Sequence, residues 1–199
     1  MAVFTRGFGG RREREAEDLP PGQYLADGFP VLSAGPTQYV DTDDWSFTIT
    51  TETGQKHTWS WQEMLALPVE DVTVDIHCVT RWSKLQTRWR GVPVDAFFED
   101  VESTAEYVMA HSYGGYTTNL PLEDLLDGKA WVAFEYDDDP LTAEHGGPVR
   151  LLVPHLYFWK SAKWLSGFTM MTSDEPGFWE GFGYHNYGDP WREERYDGD

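Results

Sequence analysis

The chain has 199 residues, of which 40% are hydrophobic and 16% aromatic, and its formal net charge at pH 7 is -19. This composition indicates one folded globular domain and excludes a disordered chain. The acidity argues against a duplex nucleic-acid partner and against an anionic membrane surface, because like charges repel. The sequence contains no apolar run of about 18 residues, so we expect no membrane span.

The chain has a single cysteine, Cys78, so an internal disulfide is excluded and the core has to hold the fold. Arg11 and Arg12 resemble the start of a twin-arginine export signal. Acidic residues follow them where such a signal needs an apolar stretch. We therefore expect a cytoplasmic protein.

The first part of the chain differs in composition from the rest. Residues 1–43 are rich in glycine, charge and then proline, which predicts an extended N-terminal arm ahead of a domain formed by residues 44–199. The segments on either side of Gly54 predict a β-hairpin. Ser60 and Glu63 then have the spacing of a capping box, which predicts the start of a short helix.

The remaining chain mixes expected strands with expected short helices. We expect a strand that ends at Cys78 and a helix with Pro93 in its first turn. A second helix is expected over 121–127. Further strands are expected over 105–112, 130–136, 148–154 and 164–172. Because these elements lack a regular βαβ spacing, the sequence predicts an α+β fold with mixed β-sheets, followed by an irregular aromatic tail.

Two segments lack acidic residues, although the chain holds 34 of them. They are residues 76–94 and 146–173, and they contain seven of the 15 lysines and arginines: Arg81, Lys84, Arg88, Arg90, Arg150, Lys160 and Lys163. If the two segments converge, they form a positive pocket for a small anion such as phosphate or pyrophosphate. The alternative is that these cations pair with acids elsewhere in the chain.

Cys78 lies in the first of these acid-free segments. A lone cysteine at a strand end is commonly an inert core residue. The neighbouring His77, Arg81 and Lys84 would instead favour the thiolate, which binds soft metals and attacks electrophiles. The residues alone leave both interpretations open. The sequence has no cysteine pair for a zinc ribbon, no H-E-x-x-H, no G-x-S-x-G and no Walker glycine loop.

Several ordered motifs are similar to those of the molybdopterin-dependent oxidoreductase domain of the sulfite oxidase family. The similarity is greatest to its short haem-free bacterial members, which are related to the periplasmic methionine sulfoxide reductase catalytic subunit. The motifs extend over about residues 44–191 and are HCVTRWS, WRGVPVDAFF, SYGGYTTNLPLEDLL, HGGPVRLLVPHLYFWKSAKWLSGF and GFWEGFGYHNYGDPW. The resemblance implies a sulfite oxidase-like molybdopterin-binding fold and a molybdenum-molybdopterin (Mo-molybdopterin) cofactor.

The same resemblance implies roles for individual residues. The Cys78 thiolate would be the molybdenum ligand and the catalytic residue. Further positions match residues that contact the pterin or its phosphate in the family: His77, Arg81, Trp82, Ser112, His145, Arg150, Ser161, Ala162 and Lys163. A turn with backbone N–H donors and one ammonium suits a dianion. From charge alone, Arg88 or Arg90 is a candidate contact for an anionic substrate.

The implied activity is oxygen-atom transfer on a small S-oxide, N-oxide or sulfite-like substrate. It needs an electron donor or acceptor, which the sequence does not identify. One alternative is a non-catalytic module that keeps the fold and binds a pterin or another anion. Another is a thiol enzyme in which Cys78 is the nucleophile and a histidine is the base.

Overall fold

The computed structural model of the chain describes residues 19–199. The first part of the expected arm, with Arg11 and Arg12, lies outside the described residues. Within them the structure has three short α-helices and eleven strands. The helices are α1 (Trp61–Leu65), α2 (Val94–Phe98) and α3 (Phe178–Gly181). The strands are β1 (Tyr24–Leu25), β2 (Ser46–Thr50), β3 (Lys56–Ser60), β4 (Glu70–His77), β5 (Trp82–Pro93), β6 (Tyr107–Ser112), β7 (Thr117–Pro121), β8 (Trp131–Tyr136), β9 (Asp139–Pro140), β10 (Arg150–Leu152) and β11 (Leu165–Met171).

The strands form two sheets. In the first sheet β5 lies between β4 and β8, both antiparallel to it, and β10 pairs with the far side of β8. The short strand β1 adds to β5 in parallel, and β9 pairs with β8. The second sheet has the order β3-β2-β11-β6-β7, in which only β2 and β11 are parallel. The predicted α+β class with mixed sheets is confirmed.

The main core is formed by residues of both sheets together with α1 and α2. Phe47 of β2 is fully buried, and its ring centroid lies 4.9 Å from that of Phe97 and 5.0 Å from that of Phe168. Each fully buried aromatic or large aliphatic side chain of this kind contributes about 1.5–3 kcal/mol. This cluster is the main source of stability in the domain.

Both faces of the first sheet are buried. Leu151 packs in the main core, whereas Leu152, the next residue of β10, packs in a second cluster rich in tryptophan. Val132 and Ala133 of β8 divide between the two clusters in the same way. Since successive strand residues point to opposite faces, the second cluster covers the far face of this sheet. The functional site described below lies on that face.

Two local predictions are confirmed. β2 and β3 form an antiparallel hairpin around Gly54. At the start of α1, the Glu63 N–H donates to Ser60 Oγ, and the Ser60 N–H donates to a Glu63 carboxylate oxygen at 2.8 Å. These features depend on residues close together in the chain, so the sequence pattern is enough to predict them.

Other local predictions were wrong. Pro93 is the last residue of β5 and the N-cap residue of α2, so it precedes the helix's first turn. The helix expected over 121–127 is only a single 3-10 turn, Leu122–Asp124, because β7 extends to Pro121 and Leu125 turns into the main core. The twelve-residue strand β5 was not anticipated, since its interleaved arginines and tryptophans hide the apolar pattern.

The strand that carries the cysteine is one residue shorter than expected. β4 ends at His77, so Cys78 is the first residue of the following turn.

Among residues 19–199, no helix combines the length and the apolar character that crossing a bilayer requires.

Candidate functional site

A cavity of about 320 Å³ opens beside the turn that follows β4. Its volume falls in the usual range for small-molecule sites. Five segments supply its walls, and they lie within residues 29–38, 78–82, 113–116, 145–164 and 178–184. The chain's only cysteine and residues of the second acid-free segment therefore line the same cavity.

Cys78 is held in a tight turn. Its N–H donates to the Trp82 carbonyl at 2.8 Å, and the Arg81 N–H donates to the Cys78 carbonyl at 2.9 Å. The side chain is 7% exposed and lies at the cavity wall. Sγ accepts a hydrogen bond from the Thr80 hydroxyl at 3.1 Å. The thiol is thus placed at the cavity by its backbone and is contacted by one hydroxyl donor.

The state of the thiol follows from this environment. Burial raises the pKa of Cys78, while the Thr80 hydroxyl and the nearby cations Arg195 and Arg150 oppose that rise. The protonated thiol is therefore the stable form at neutral pH in the protein alone. A bound metal ion would deprotonate it, because a coordinating thiol loses its proton outright.

Arg150 is a buried cation beside the same cavity. It is 1% exposed, and its guanidinium donates to the carbonyls of His145 at 2.9 Å and Ser161 at 2.7 Å. The guanidinium carbon lies 3.9 Å from the centroid of the Phe158 ring. Nε is buried and has no hydrogen-bond partner among the described residues. Burial lowers the pKa of Arg150 from 12.5 to about 9.

No acid offsets this charge in the part of the chain that the structure describes. None of the ion pairs formed within residues 19–199 includes Arg150. A buried charge without a partner is costly, whereas an anion in the cavity would remove that cost. The site is therefore suited electrostatically to an anionic ligand.

Lys163 and His145 line the cavity and also contact the arm. The Lys163 ammonium donates to the Leu32 carbonyl at 2.6 Å and to Ser33 Oγ at 3.1 Å. Burial is the main cause that lowers the pKa of Lys163 from 10.5 to about 8. The His145 ring stacks on Phe29 with centroids 4.0 Å apart, and its Nε2 lies 3.1 Å from the Phe29 carbonyl. Residues 29–38 thus form one wall of the site.

The structure brings together most of the residues selected from the sequence. Seven of the ten line the cavity: Cys78, Trp82, His145, Arg150, Ser161, Ala162 and Lys163. Three do not line it. His77 is buried, with Nδ1 2.8 Å from Ser83 Oγ, and Arg81 is exposed. Ser112 is buried, and its hydroxyl finds no hydrogen-bond partner within residues 19–199.

The two acid-free segments converge only in part. Of their cations, Arg150 and Lys163 line the cavity. Arg88 forms ion pairs with two aspartates at 2.6 and 2.7 Å, and Arg90 lies 3.9 Å from another. Lys160 pairs with a buried glutamate at 2.7 Å. The structure does not bring Arg88 or Arg90 to the cavity, so it gives no support to either as a substrate contact.

Sequence reasoning missed an aromatic wall of the cavity. Phe178, Trp179 and Tyr184 line it, and the rings of Trp179 and Tyr184 stack with centroids 5.0 Å apart. Burial raises the pKa of Tyr184, and the neighbouring Tyr196 adds to this rise. The region was expected as an irregular tail that carries one of the family motifs, and no site residue was selected from it, because its local pattern does not show which rings face a cavity.

The chain matches the family described as "Oxidoreductase molybdopterin binding domain" over residues 34–179. It is 41% identical over 189 residues to the oxidoreductase YuiH of Bacillus subtilis, a match that covers 94% of this chain and 96% of YuiH. It is also 28% identical over 151 residues to a putative protein-methionine-sulfoxide reductase subunit, YedZ1, of Azospira oryzae. That match covers 75% of this chain and 57% of YedZ1.

A solved structure has a similar fold. The sulfane dehydrogenase SoxCD from Paracoccus pantotrophus superposes with a TM-score of 0.62 at 16% identity, over 69% of this chain and 40% of that chain. The structural match supports the sulfite oxidase-like fold, and the family match includes Cys78, Arg150 and Lys163 of the cavity. The resemblance seen in the sequence motifs is thereby confirmed. The chain belongs to the molybdopterin-binding oxidoreductase domains of the sulfite oxidase family and is a molybdenum cofactor-dependent enzyme.

Proposed function

We propose that the protein transfers an oxygen atom to or from a small molecule at a molybdenum atom whose protein ligand is the Cys78 thiolate. One observation carries the proposal: the only cysteine of the chain lies in the same cavity as Arg150, a fully buried cation without an acidic partner within residues 19–199. A metal bound by the thiolate would explain why Cys78 lies at the cavity, and an anionic pterin phosphate would explain why Arg150 is buried there without an acid.

The residues present fit such a cofactor. Within residues 19–199 no group of three or more His, Cys, Asp and Glu side chains is arranged to hold a metal ion. Cys78 would be the protein's ligand to a molybdenum atom, and the pterin together with oxygen ligands from outside the protein would complete its coordination. Two buried donors beside the cavity, Arg150 Nε and Trp82 Nε1, have no hydrogen-bond partner in the part of the chain that the structure describes. They suit the acceptor atoms of a pterin or a phosphate.

When bound, the cofactor supplies a two-electron redox change coupled to oxygen transfer. The chain's own residues hold and orient it. Arg150 and Lys163 provide positive charge on one side of the cavity, and His145 lies beside them. The Ser161 hydroxyl accepts from the Val153 N–H at 2.9 Å, which fixes the turn between the two cations. Thr80 donates to the sulfur of Cys78 and so stabilises the thiolate.

The aromatic wall lies on the 178–184 segment. Phe178, Trp179 and Tyr184 exclude water from that side of the cavity and offer apolar contact area to a substrate. We propose a small S-oxide, N-oxide or sulfite-like substrate. The name of the relative YedZ1, a putative methionine-sulfoxide reductase subunit, supports chemistry at sulfur. Electrons would pass to or from a partner that is not identified.

The geometry does not favour a thiol enzyme. Its mechanism needs a thiolate paired with a base, and burial raises the pKa of Cys78 instead. Within residues 19–199 the only hydrogen bond to Sγ comes from Thr80, whereas His77 bonds to Ser83 and His145 contacts the Phe29 carbonyl.

The test compares wild type with Cys78→Ala, both expressed in a host that makes the cofactor. Molybdenum is measured by elemental analysis and the oxidised pterin by fluorescence, with Thr58→Ala, an exposed change on β3, as the control. We expect about one molybdenum per chain in wild type and the control, and about tenfold less in Cys78→Ala. Turnover of sulfoxides and N-oxides with a reduced dye, and of sulfite with an oxidant, then identifies the substrate class. Full molybdenum in Cys78→Ala would contradict the proposal.

A further inference from the structure

The turn that carries Cys78 is held largely from outside its own hairpin. Within the turn, residues 78–81, the Arg81 N–H donates to the Cys78 carbonyl at 2.9 Å. Arg81 has φ 78°, a left-handed conformation that residues other than glycine rarely adopt. Such a backbone persists only where the surroundings impose it. The position of the thiol therefore depends on contacts that other parts of the chain make with this turn.

Those contacts come from both ends of the described chain. Gln23 Nε2 donates to the Cys78 carbonyl at 3.1 Å, and the Tyr24 N–H donates to the Arg81 carbonyl at 2.8 Å. From the C-terminal tail, Arg195 Nη1 donates to the Val79 carbonyl at 2.7 Å. Three carbonyls of the turn thus accept hydrogen bonds from residues far away in the sequence.

Arg195 also joins the two chain ends to each other. Its Nη2 donates to the Pro21 carbonyl at 3.1 Å, and its guanidinium lies 5.0 Å from the centroid of the Tyr157 ring. The side chain is 4% exposed. The Asp199 carboxylate accepts the Arg195 N–H at 3.0 Å and so fixes the tail. Arg195 is therefore held rigidly while it contacts the turn.

The two chain ends pack closely at Gly22. A Cβ added to Gly22 would lie 2.7 Å from a Glu193 carboxylate oxygen and 3.3 Å from Arg195 Nη2. Gly22 has φ +70°, so the arm approaches Arg195 through a backbone conformation that favours glycine. The arm and the tail thus form one clamp over the turn.

We propose that Arg195 and Gln23 are positioning residues that fix the direction of the Cys78 sulfur toward the molybdenum atom. The proposal rests on the proposed function, in which Cys78 is the metal ligand. Loss of Arg195 frees the Val79 carbonyl, and loss of Gln23 leaves the Cys78 carbonyl with the Arg81 N–H as its donor. Either change loosens the turn and lets the sulfur move, although neither side chain contacts the sulfur itself. Hydrogen bonds that orient a ligand in this way commonly change metal affinity by about 10–100-fold.

The experiment uses the full chain loaded with cofactor and the variants Arg195→Met and Gln23→Met, with Arg192→Met as the matched control. Arg192 lies on the same tail, but its side chain is 71% exposed and pairs with Glu194. The readouts are molybdenum per chain after dialysis and the thiolate-to-molybdenum absorption band. The thermal midpoint of each cofactor-free variant reports on the fold separately.

We expect about tenfold less retained molybdenum in Arg195→Met, a smaller loss in Gln23→Met, and a shifted absorption band in the molecules that stay loaded. Arg195→Lys keeps one donor for the Val79 carbonyl and should restore much of the molybdenum, and Arg192→Met should match wild type. Unchanged molybdenum and an unchanged band in both variants would overturn the inference. The inference would also be overturned if the loss of molybdenum were proportional to the fall in thermal midpoint and the absorption band stayed at its wild-type position.

Cys78→Ala, measured alongside, separates the two proposals. If it keeps both molybdenum and the band, the proposed ligand is wrong and the inference falls with it. If it loses both while Arg195→Met and Gln23→Met behave as wild type, the ligand stands and only the positioning role is wrong.

Discussion

Arg150 and Lys160 are both buried cations of the second acid-free segment, and each is 1% exposed. They differ in their partners. The Lys160 ammonium pairs with Glu180 at 2.7 Å and donates to the carbonyls of Asn119 and Asn186. Arg150 has two carbonyl partners and no carboxylate within residues 19–199. In the cofactor-free protein, replacing Lys160 by methionine should therefore cost much more stability than replacing Arg150 by methionine.

The magnitude follows from the pKa of Arg150, which burial lowers from 12.5 to about 9. At about 1.4 kcal/mol for each pKa unit, keeping the guanidinium charged costs about 5 kcal/mol at neutral pH. Arg150→Met removes that cost but leaves two carbonyls without donors, at about 1–3 kcal/mol each. We expect a net change between a loss of about 1 kcal/mol and a gain of about 3 kcal/mol. Lys160→Met leaves Glu180 as an unpaired buried charge and should cost about 3–5 kcal/mol.

The pH dependence gives a second check. The folded-state pKa of Arg150 lies below its unfolded value, so folding is penalised fully below about pH 9. The penalty declines as pH rises from about 9 toward 12.5. The difference between Arg150→Met and wild type should accordingly stay constant from about pH 6 to pH 8.

The assay is urea unfolding of wild type, Arg150→Met and Lys160→Met, each purified from a host that cannot make the cofactor. In a cofactor-competent host, Arg150→Met should also lose most of its molybdenum, because the cation that faces the anionic ligand is gone. A loss of more than about 2 kcal/mol in cofactor-free Arg150→Met would refute the reasoning. It would mean that the protein already compensates the charge without an anion.

Three further predictions follow from single contacts. Thr80→Val removes the hydroxyl that donates to the cysteine sulfur, so the thiol pKa should rise further and alkylation of the cofactor-free protein at about pH 8 should slow severalfold. Burial lowers the pKa of His77 from 6.5, so the neutral ring is the folded form, and the free energy of unfolding should fall as pH drops below 6.5. Urea titrations at about pH 7.5 and 5.5 measure this fall, which His77→Gln should reduce. Gly146→Ala combines φ +106° with a Cβ 2.9 Å from Lys163 Cβ and should cost about 2–4 kcal/mol in urea unfolding. Gly183→Ala is the control, because Gly183 has φ +93° but open space around the added Cβ, so this change tests the backbone strain alone. It should lower the free energy of unfolding by less than Gly146→Ala does. Equal losses in the two variants would show that the Lys163 side chain moves aside without a measurable cost.

Much of the local structure, and the family itself, was predictable from the sequence. The capping box at Ser60 and Glu63 and the hairpin at Gly54 depend on residues within a few positions of each other. The motif around Cys78 and the one from His145 to Phe168, together with three others, identified the family, because the family's cofactor contacts the chain at short, ordered stretches. Seven of the ten selected residues line one cavity for that reason.

What the sequence alone determined is the fold class, the family and the short segments that meet at the cavity. Only the tertiary structure decided which cations remain without acids, because pairing depends on distance in space. Lys160 has its carboxylate 20 residues away in the sequence, whereas Arg150, in the same segment, has none within residues 19–199. The contacts of Gln23 and Arg195 with the Cys78 turn were likewise hidden, since chain ends that meet in the fold leave no local pattern in the sequence.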